Sequence, residues 1–294
     1  PPSAFKLADA EGNELSASEG IRVPAGDFSA KIMVKVGQLN SKDFPANKKY
    51  AIPLSITGAS NYSLIPSQRS AILLLNRSIL SSVAKVSGGE GIRIKPVGMH
   101  TKAEWTIQMS AIYSSLTRSN LTTAYLSNGT GGEFYTRISS TAGIQVKNGR
   151  DGDDTWTQIP LQAGKWLHIT YVHKDKKTTV YVNGKVQKVF ENSAITFGEN
   201  SMIVVGNSGY RNDYLREIRL WDKALTESEI NDYLYLPMDP ATPHLISYLP
   251  LSKEMETKDL KAPAGTENVT TKARIEYVEN VKFPADELVI VNQE

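Results

Sequence analysis

The stretch WLHITYVHKDKKTTVYVNGKVQKVF, residues 166–190, alternates apolar and polar residues, breaks on charge, alternates again, and breaks once more at Asn183-Gly184. Successive side chains of a strand point to opposite faces, so a period of two describes a ribbon with one face buried, and Asn-Gly is the residue pair that closes hairpins. The same period recurs along most of the chain. In FSAKIMVKV, Phe28, Ala30, Ile32, Val34 and Val36 share one face, which predicts a long strand entered through the turn RVPAGD. YAIPLSIT and AILLLN follow, and Pro53, which has no N–H to give a ladder, predicts an edge or a bulge. From SGGEGIRI onward the pattern gives strands at GIRIKP, EWTIQMSAIY, TAYLSN, EFYTRIS, GIQVKNG, WTQIPL, WLHITYVHK, TTVYVNG, KVQKVF, SMIVVG and REIRLWD, separated by short turns. Many short strands joined by hairpin chemistry predict an all-β chain built as an antiparallel sandwich or barrel.

One helix interrupts this pattern. In LTESEINDYLY, Thr226 and Glu229 have the spacing of a capping box, with Ile230, Tyr233 and Leu234 forming an apolar stripe behind it. A single short helix after so many strands is expected to plug a sheet edge or end. PMDPATP stops it, and LISYLPL through KFP supplies two or three further strands.

Length and composition bound the function. At 294 residues the chain suits two domains, since about 150 residues is an ordinary domain size. It is 40% apolar and 22% charged with net charge +2, a balance that calls for neither nucleic acid nor an acidic membrane surface. The longest apolar run, Ala71–Leu75, is too short to cross a bilayer as a helix. Without cysteine there is no disulfide, zinc thiolate or thiol nucleophile. The opening PPSAFKL has neither Met nor a signal-peptide core, and so reads as a mature or trimmed chain.

The ordered set GKWLHITYV, TTVYVNGK, MIVVGNSG and LREIRLWDKALTESEI resembles the laminin-G-like jelly roll of the concanavalin A-like lectin and glucanase superfamily, over roughly Ser78 to Leu236. The family commonly has an acid before the Glu217 position. This chain has Arg216, so no metal or ligand role is carried over to that position. LISYLPLSKEMETKDLKAP resembles the strand, acidic turn and Asp loop that accompany the domain. VPAGDFSAKIMVKV with KKYAIPLSITGAS resembles a small β-sandwich domain of unknown function found in surface lipoproteins of glycan-degrading Bacteroidetes, here starting late enough to lack a first strand. The expected organisation is therefore a small β-sandwich at 1–76 and a jelly roll at 77–294. The resemblance implies a glycan ligand, partnership with outer-membrane glycan-uptake proteins, and lipid anchoring on the outer face of the outer membrane.

Glucanases of that superfamily need two carboxylates astride the scissile bond, which on one strand reads Glu-x-Asp-x-(x)-Glu. No strand carries that pattern, so the sequence predicts a binding protein without catalysis; a glycosidase with relocated carboxylates and an adhesive protein-binding module are the alternatives. No Gly-x-Ser-x-Gly elbow or phosphate loop is present, and His100, His168, His173 and His244 lack zinc spacing. Asp151, Asp153 and Asp154 in NGRDGDD read either as calcium ligands or as a solvated hairpin end, and no cofactor is expected. Trp105, Trp166 and Trp221 alternate with apolar neighbours and are assigned to the core, whereas Trp156 follows the acidic loop among polar residues. Sugar sites pair aromatic faces with hydrogen-bonding groups. One candidate cluster is Trp156 with Asp153, Asp154 and Gln158; the other is Tyr125, Tyr210 and Tyr214 with Asn207 and Arg211. Ordinary exposed tyrosines on a sandwich would give the same pattern.

Overall fold

The computed structural model describes every residue except 1–3, 17–19, 38, 40–42, 45–47, 49, 76–77, 99–101, 118–123, 128–133, 148–151, 192–194, 198–200, 207–209 and 293–294; for 124–127, 210 and 211 it describes the backbone alone. The chain divides into two compact units, Pro1–Leu75 and Asn76–Glu294. No described helix is long and apolar enough to cross a membrane.

The first unit carries two small antiparallel sheets. β1 (Phe5–Ala8) lies between β2 (Glu14–Leu15) and β3 (Met33–Val36), while β4 (Tyr50–Ser55) pairs with β5 (Ser70–Leu75). The long strand expected from residue 28 is corrected: only Met33–Val36 is strand, and Phe28 is fully exposed. β1 has four residues and pairs with nothing beyond Met33, so the alternation upstream finds no ladder. Pro53 stands opposite Ile72 in a two-stranded sheet, where both strands are edges and a missing N–H is tolerated.

The second unit is a sandwich. Its strands are β6 (Ile79–Gly88), β7 (Ile92–Ile94), β8 (Trp105–Ile112), β9 (Ala124–Ser127), β10 (Phe134–Ser139), β11 (Gly143–Lys147), β12 (Trp166–Lys174), β13 (Lys177–Val182), β14 (Lys185–Glu191), β15 (Met202–Val205), β16 (Tyr210–Trp221), β17 (Leu245–Leu249), β18 (Val269–Thr270) and β19 (Arg274–Phe283). The large sheet runs β14-β13-β12-β8-β16-β6-β19 with β17 also on β16, and the small sheet runs β11-β10-β9-β15-β7-β18. WTQIPL is not a strand. Trp156 bridges to Gln145, Thr157 and Gln158 N–H donate to the carbonyls of Ile144 and Ala142, and Gln158, at φ 60°, then turns the chain away before a strand forms.

The period of two explains the core. Leu167, Ile169 and Tyr171 of β12, Ile107 and Met109 of β8, and Val180 and Val182 of β13 meet Phe134, Ile138, Ile144, Ile203 and Val205 of the small sheet in one buried cluster. Trp105, fully buried, anchors it edge-on to Phe134 at 5.0 Å and Phe197 at 5.3 Å, stacked on His173 at 5.1 Å, with its indole N–H donating to the Ile195 carbonyl at 2.9 Å. The hairpin from β13 to β14 turns with Asn183 at φ 51° and Gly184 at φ 76°. Gly184 suits this left-handed backbone, and a Cβ there would push the Asn231 side chain, whose Oδ1 lies 2.0 Å from its position.

Helix α1 (Glu227–Asp232) begins at the expected capping box: the Thr226 hydroxyl accepts from Glu229 N–H and the Glu229 carboxylate accepts from Thr226 N–H at 2.9 Å. Its position is a correction. Instead of plugging an edge or end, α1 and the segment after it cover the outer face of the large sheet, where Ile230, Leu225 and Met238 pack on Val172, Tyr181, Trp221, Leu245 and Tyr248. Beside this second apolar cluster lies a buried ionic one. Glu217, at φ 56° on a bulge of β16, accepts from Arg219 Nη2 at 2.5 Å, Arg216 Nη2 at 3.4 Å and the Tyr248 hydroxyl at 3.0 Å. The guanidiniums also donate to the carbonyls of Tyr233, Tyr235 and Leu236, which fastens the chain behind α1 to the sheet.

Candidate functional site

Alternation that sends Ile92 and Ile94 inward turns Arg93 outward on β7, and the same rule turns Met202 outward on β15 and Tyr135 and Arg137 outward on β10. These residues stand on the outer face of the small sheet. Across it Tyr135 is in register with Tyr125, Tyr125 with Val204, Val204 with Arg93, and Arg93 with Thr270. At the β7–β18 side of this face the structure opens a groove of ≈ 690 Å³, a size typical of small-molecule sites.

The groove has an apolar floor and polar walls. Met202, Pro96 and Val97 supply the apolar part; Arg93, Lys95, Glu267 and Asn268 supply hydrogen-bonding groups. Its two walls are tied together: Lys95 N–H donates to the Asn268 carbonyl at 2.8 Å, and Asn268 Nδ2 donates to the Lys95 carbonyl at 3.1 Å and to Asp259 Oδ2 at 2.9 Å. Asp259 is buried and also accepts from Ser247 Oγ and from the N–H groups of Tyr248 and Lys261, so it sets the position of the wall and is not available to a ligand. Half-buried Arg93 reaches Glu90 at 3.2 Å; Lys272 and Arg93 together hold the Glu90 carboxyl below its ordinary range. Lys95 and Glu267 are exposed on the groove and make no ion pair among the described residues. Arg137 lies over the Tyr135 ring at 5.4 Å, with Nε donating to the hydroxyl at 3.1 Å, extending the polar and aromatic surface across the same face.

The residues singled out in the sequence are placed apart. Trp156 is 4% exposed, so its ring has no face to offer a sugar; that expectation is corrected. It bridges to Gln145 at the β11 edge, the opposite side of the small sheet from the groove, and its carbonyl accepts from Lys188 at 2.7 Å. The Gln158 amide donates to the Asp153 carbonyl at 2.9 Å, which turns it back on its own loop. The Asp153 and Asp154 carboxyls are exposed, Asp151 lies outside the described residues, and no three His, Asp or Glu side chains among the described residues form a metal cage. Tyr214 is half-buried on the outer face of the large sheet, in register with Ile112 and Lys85. Tyr210 and Arg211 open β16 with backbone pairing to Gly88 and Ser87, but their side chains, like that of Tyr125 on β9, lie outside the description, as does Asn207 entirely. Trp156 and Tyr214 therefore belong to different sheets. Sequence reasoning missed Arg93, Lys95, Met202, Glu267 and Asn268. The lone cation between two isoleucines in GIRIKP was the available signal, and it marks an outward residue without saying what it faces.

His173 and His168 are held inside the second unit. His173 Nδ1 is 3.0 Å from Thr178 Oγ1, its Nε2 accepts from Ile195 N–H at 3.2 Å, and burial pushes its pKa down to about 4. His168 pairs with Ser110 at 2.7 Å, but both are buried, so this is not an accessible Ser–His nucleophile.

Residues 87–231 match the family model described as the concanavalin A-like lectin/glucanases superfamily, so the second unit contains a concanavalin A-like domain. No curated protein matches the sequence. Among solved structures, a candidate carbohydrate binding protein from Bacteroides ovatus ATCC 8483 shares the fold at 17% identity and TM-score 0.55, covering 98% of this chain and 81% of the other. A heptameric SAP-like pentraxin from Limulus polyphemus gives 12% identity and TM-score 0.44 over 68% of this chain and 94% of the other. Trypanosoma rangeli sialidase in complex with 2,3-difluorosialic acid gives 14% identity and TM-score 0.40 over 51% of this chain and 27% of the other.

Proposed function

We propose that the chain is a non-catalytic carbohydrate-binding protein and that its glycan lies in the groove on the outer face of the small sheet. The observation that carries this reading is the make-up of the groove: an apolar floor at Met202, Pro96 and Val97 beside charged and amide groups of both hydrogen-bonding senses. A pyranose needs both kinds of surface, C–H faces against apolar atoms and hydroxyls against donors and acceptors. Lys95 and Arg93 donate and Glu267 accepts. The concanavalin A-like fold and the carbohydrate-binding designation of the Bacteroides ovatus neighbour support the same reading. A hydrolase would need a second carboxylate facing Glu267 across the bond to be cut; the nearby Glu90 is held by Arg93 and Lys272. We place the protein at the bacterial cell surface, handing captured glycan to an uptake or degradation partner.

The test is a glycan array followed by isothermal titration of any bound glycan, with reducing-end release monitored in parallel. Arg93→Ala, Lys95→Ala and Glu267→Gln should weaken binding by about tenfold or more, as loss of one well-placed polar contact does, with the fold intact. Tyr210→Ala probes the loop cluster from the sequence. Trp156→Ala should cost stability and leave the affinity of the folded fraction unchanged. Binding that survives all three groove variants sinks the groove assignment, an array without hits sinks the function, and glycan cleavage sinks the non-catalytic reading.

A further inference from the structure

Among the described residues, three buried side-chain nitrogens with no hydrogen-bond partner lie in one neighbourhood: Trp166 Nε1, His168 Nε2 and Arg216 Nε. Trp166 and His168 are two apart on β12 and share its outer face. His168 is in register with Ser110, and Ser110 with Arg216 on the next strand. Phe283 joins them, its ring 5.0 Å from that of Trp166 and 4.0 Å from the Arg216 guanidinium carbon. The three side chains are 4%, 2% and 1% exposed. Buried polar groups are nearly always satisfied, and three orphans on one sheet face call for an explanation.

Two of the three are donors in every state, and His168 Nε2 is the third in the tautomer in which the Ser110 hydroxyl donates to Nδ1. Indole Nε1 and guanidinium Nε have no acceptor capacity. His168 Nδ1 is 2.7 Å from Ser110 Oγ; with the serine hydroxyl donating, the histidine proton sits on Nε2. Arg216 and Arg219 are both buried, and among the described residues Glu217 is the one carboxylate bonded to them; Asp286 is exposed and meets Trp166 through its backbone carbonyl. Both guanidiniums, after burial itself, hold His168 well below its ordinary pKa and so keep it neutral. A water molecule here would accept from two of the three donors and turn its own hydrogens toward guanidinium groups. An anion accepts from all three and supplies the missing countercharge. We propose that Trp166 Nε1, His168 Nε2 and Arg216 Nε bind a small monatomic anion of the halide class, buried between the large sheet and Phe283. This site is independent of the glycan groove, which lies on the other sheet.

The test is thermal unfolding of the full chain at constant ionic strength, with chloride or bromide replacing gluconate, which is too large to be enclosed. Halide bound only by the folded state should raise the melting temperature, with the folding constant increasing up to tenfold for each tenfold rise in halide above its dissociation constant. Trp166→Phe keeps the ring and removes one donor, and should lessen that dependence. If this variant does not fold, crystals grown with bromide decide: the expected result is an anomalous peak within hydrogen-bond distance of the three nitrogens. Melting indifferent to halide in the parent, or bromide crystals with no peak among these nitrogens, overturns the proposal.

Discussion

Replacing Glu217 with glutamine tests the buried ionic cluster directly. The side chain keeps its shape but loses its charge, and half of its acceptor capacity becomes an N–H donor. Glu217 is 2% exposed and receives four polar groups: Arg219 Nε at 3.2 Å, Arg219 Nη2 at 2.5 Å, Arg216 Nη2 at 3.4 Å and the Tyr248 hydroxyl at 3.0 Å. The Tyr248 hydroxyl in turn accepts from Met238 N–H at 3.0 Å, so disturbance passes into the segment behind α1. Breaking a buried pair from one side costs about 3–5 kcal/mol, because the surviving charge stays desolvated. Here two guanidiniums would be stranded, which puts Glu217→Gln at the upper part of that range. At about 2–4 °C per kcal/mol for a unit of this size, melting should fall by roughly 8–20 °C. Calorimetry of parent and variant, assigning the transition of the larger unit, measures it. A loss below about 1 kcal/mol would refute the reasoning, since it would mean that the guanidiniums are hydrated. Replacing Arg216, Glu217 and Arg219 together with apolar residues should cost less than Glu217→Gln alone, because no charge then remains to desolvate.

Other outcomes follow from single contacts. Thr226→Ala removes the acceptor for Glu229 N–H and should cost about 1 kcal/mol in chemical denaturation; no measurable loss would mean the box does not hold the helix start. Ile72→Lys and Leu74→Lys alter side chains 70% and 74% exposed on β5, so each should change stability by less than about 0.5 kcal/mol in urea titrations. The pH dependence comes from His173, pushed by burial down to about 4, and from His168, lowered in the same direction. A histidine depressed in the folded state stabilises fully above its unfolded value near 6.5 and loses that contribution as pH falls toward the folded value. For His173 this amounts to about 2 kcal/mol between pH 7 and 5, read as a falling urea midpoint that His173→Gln should make shallower, with the His168 contribution remaining. A midpoint in the parent that stays level over that range contradicts it.

Local physics made much of the fold legible. Alternation located the strands of the sandwich because each has one face in a common core, and the assignment of Trp105, Trp166 and Trp221 to the interior rests on the same regularity: they are 0%, 4% and 4% exposed. The capping box was legible because its bonds span only three residues. Phe28 shows the limit of the method, since alternation describes a strand only where a partner strand exists, and β1 ends its pairing at Met33. Trp156 shows another. Its polar neighbours suggested exposure, yet Thr155 and Thr157 are buried and spend their hydroxyls on the protein: Gln145 Nε2 donates to Thr155 Oγ1 at 2.8 Å, and Ile144 N–H to Thr157 Oγ1 at 3.0 Å. Their polarity seals the edge of β11, and the indole is enclosed with them.

The groove could not be found in this way, because no local pattern contains it. Lys95 and Asn268 are 173 positions apart and meet only because β18 returns to the free side of β7. That return depends on Asp259, whose carboxylate connects Asn268 to β17 through Ser247 and Tyr248, so part of the groove wall is positioned from the other sheet. The two outer faces of the sandwich differ for the same reason. The outer face of the large sheet is spent on α1, the segment after it and the Glu217 cluster, which bury Gln108, Ser110, His168 and Thr170. Among the described residues no helix crosses the small sheet, and Arg93, Tyr135, Arg137 and Met202 stay partly open on its outer face. The proposed glycan would therefore find its polar and apolar contacts on the small sheet, on the face that the described helix does not cover.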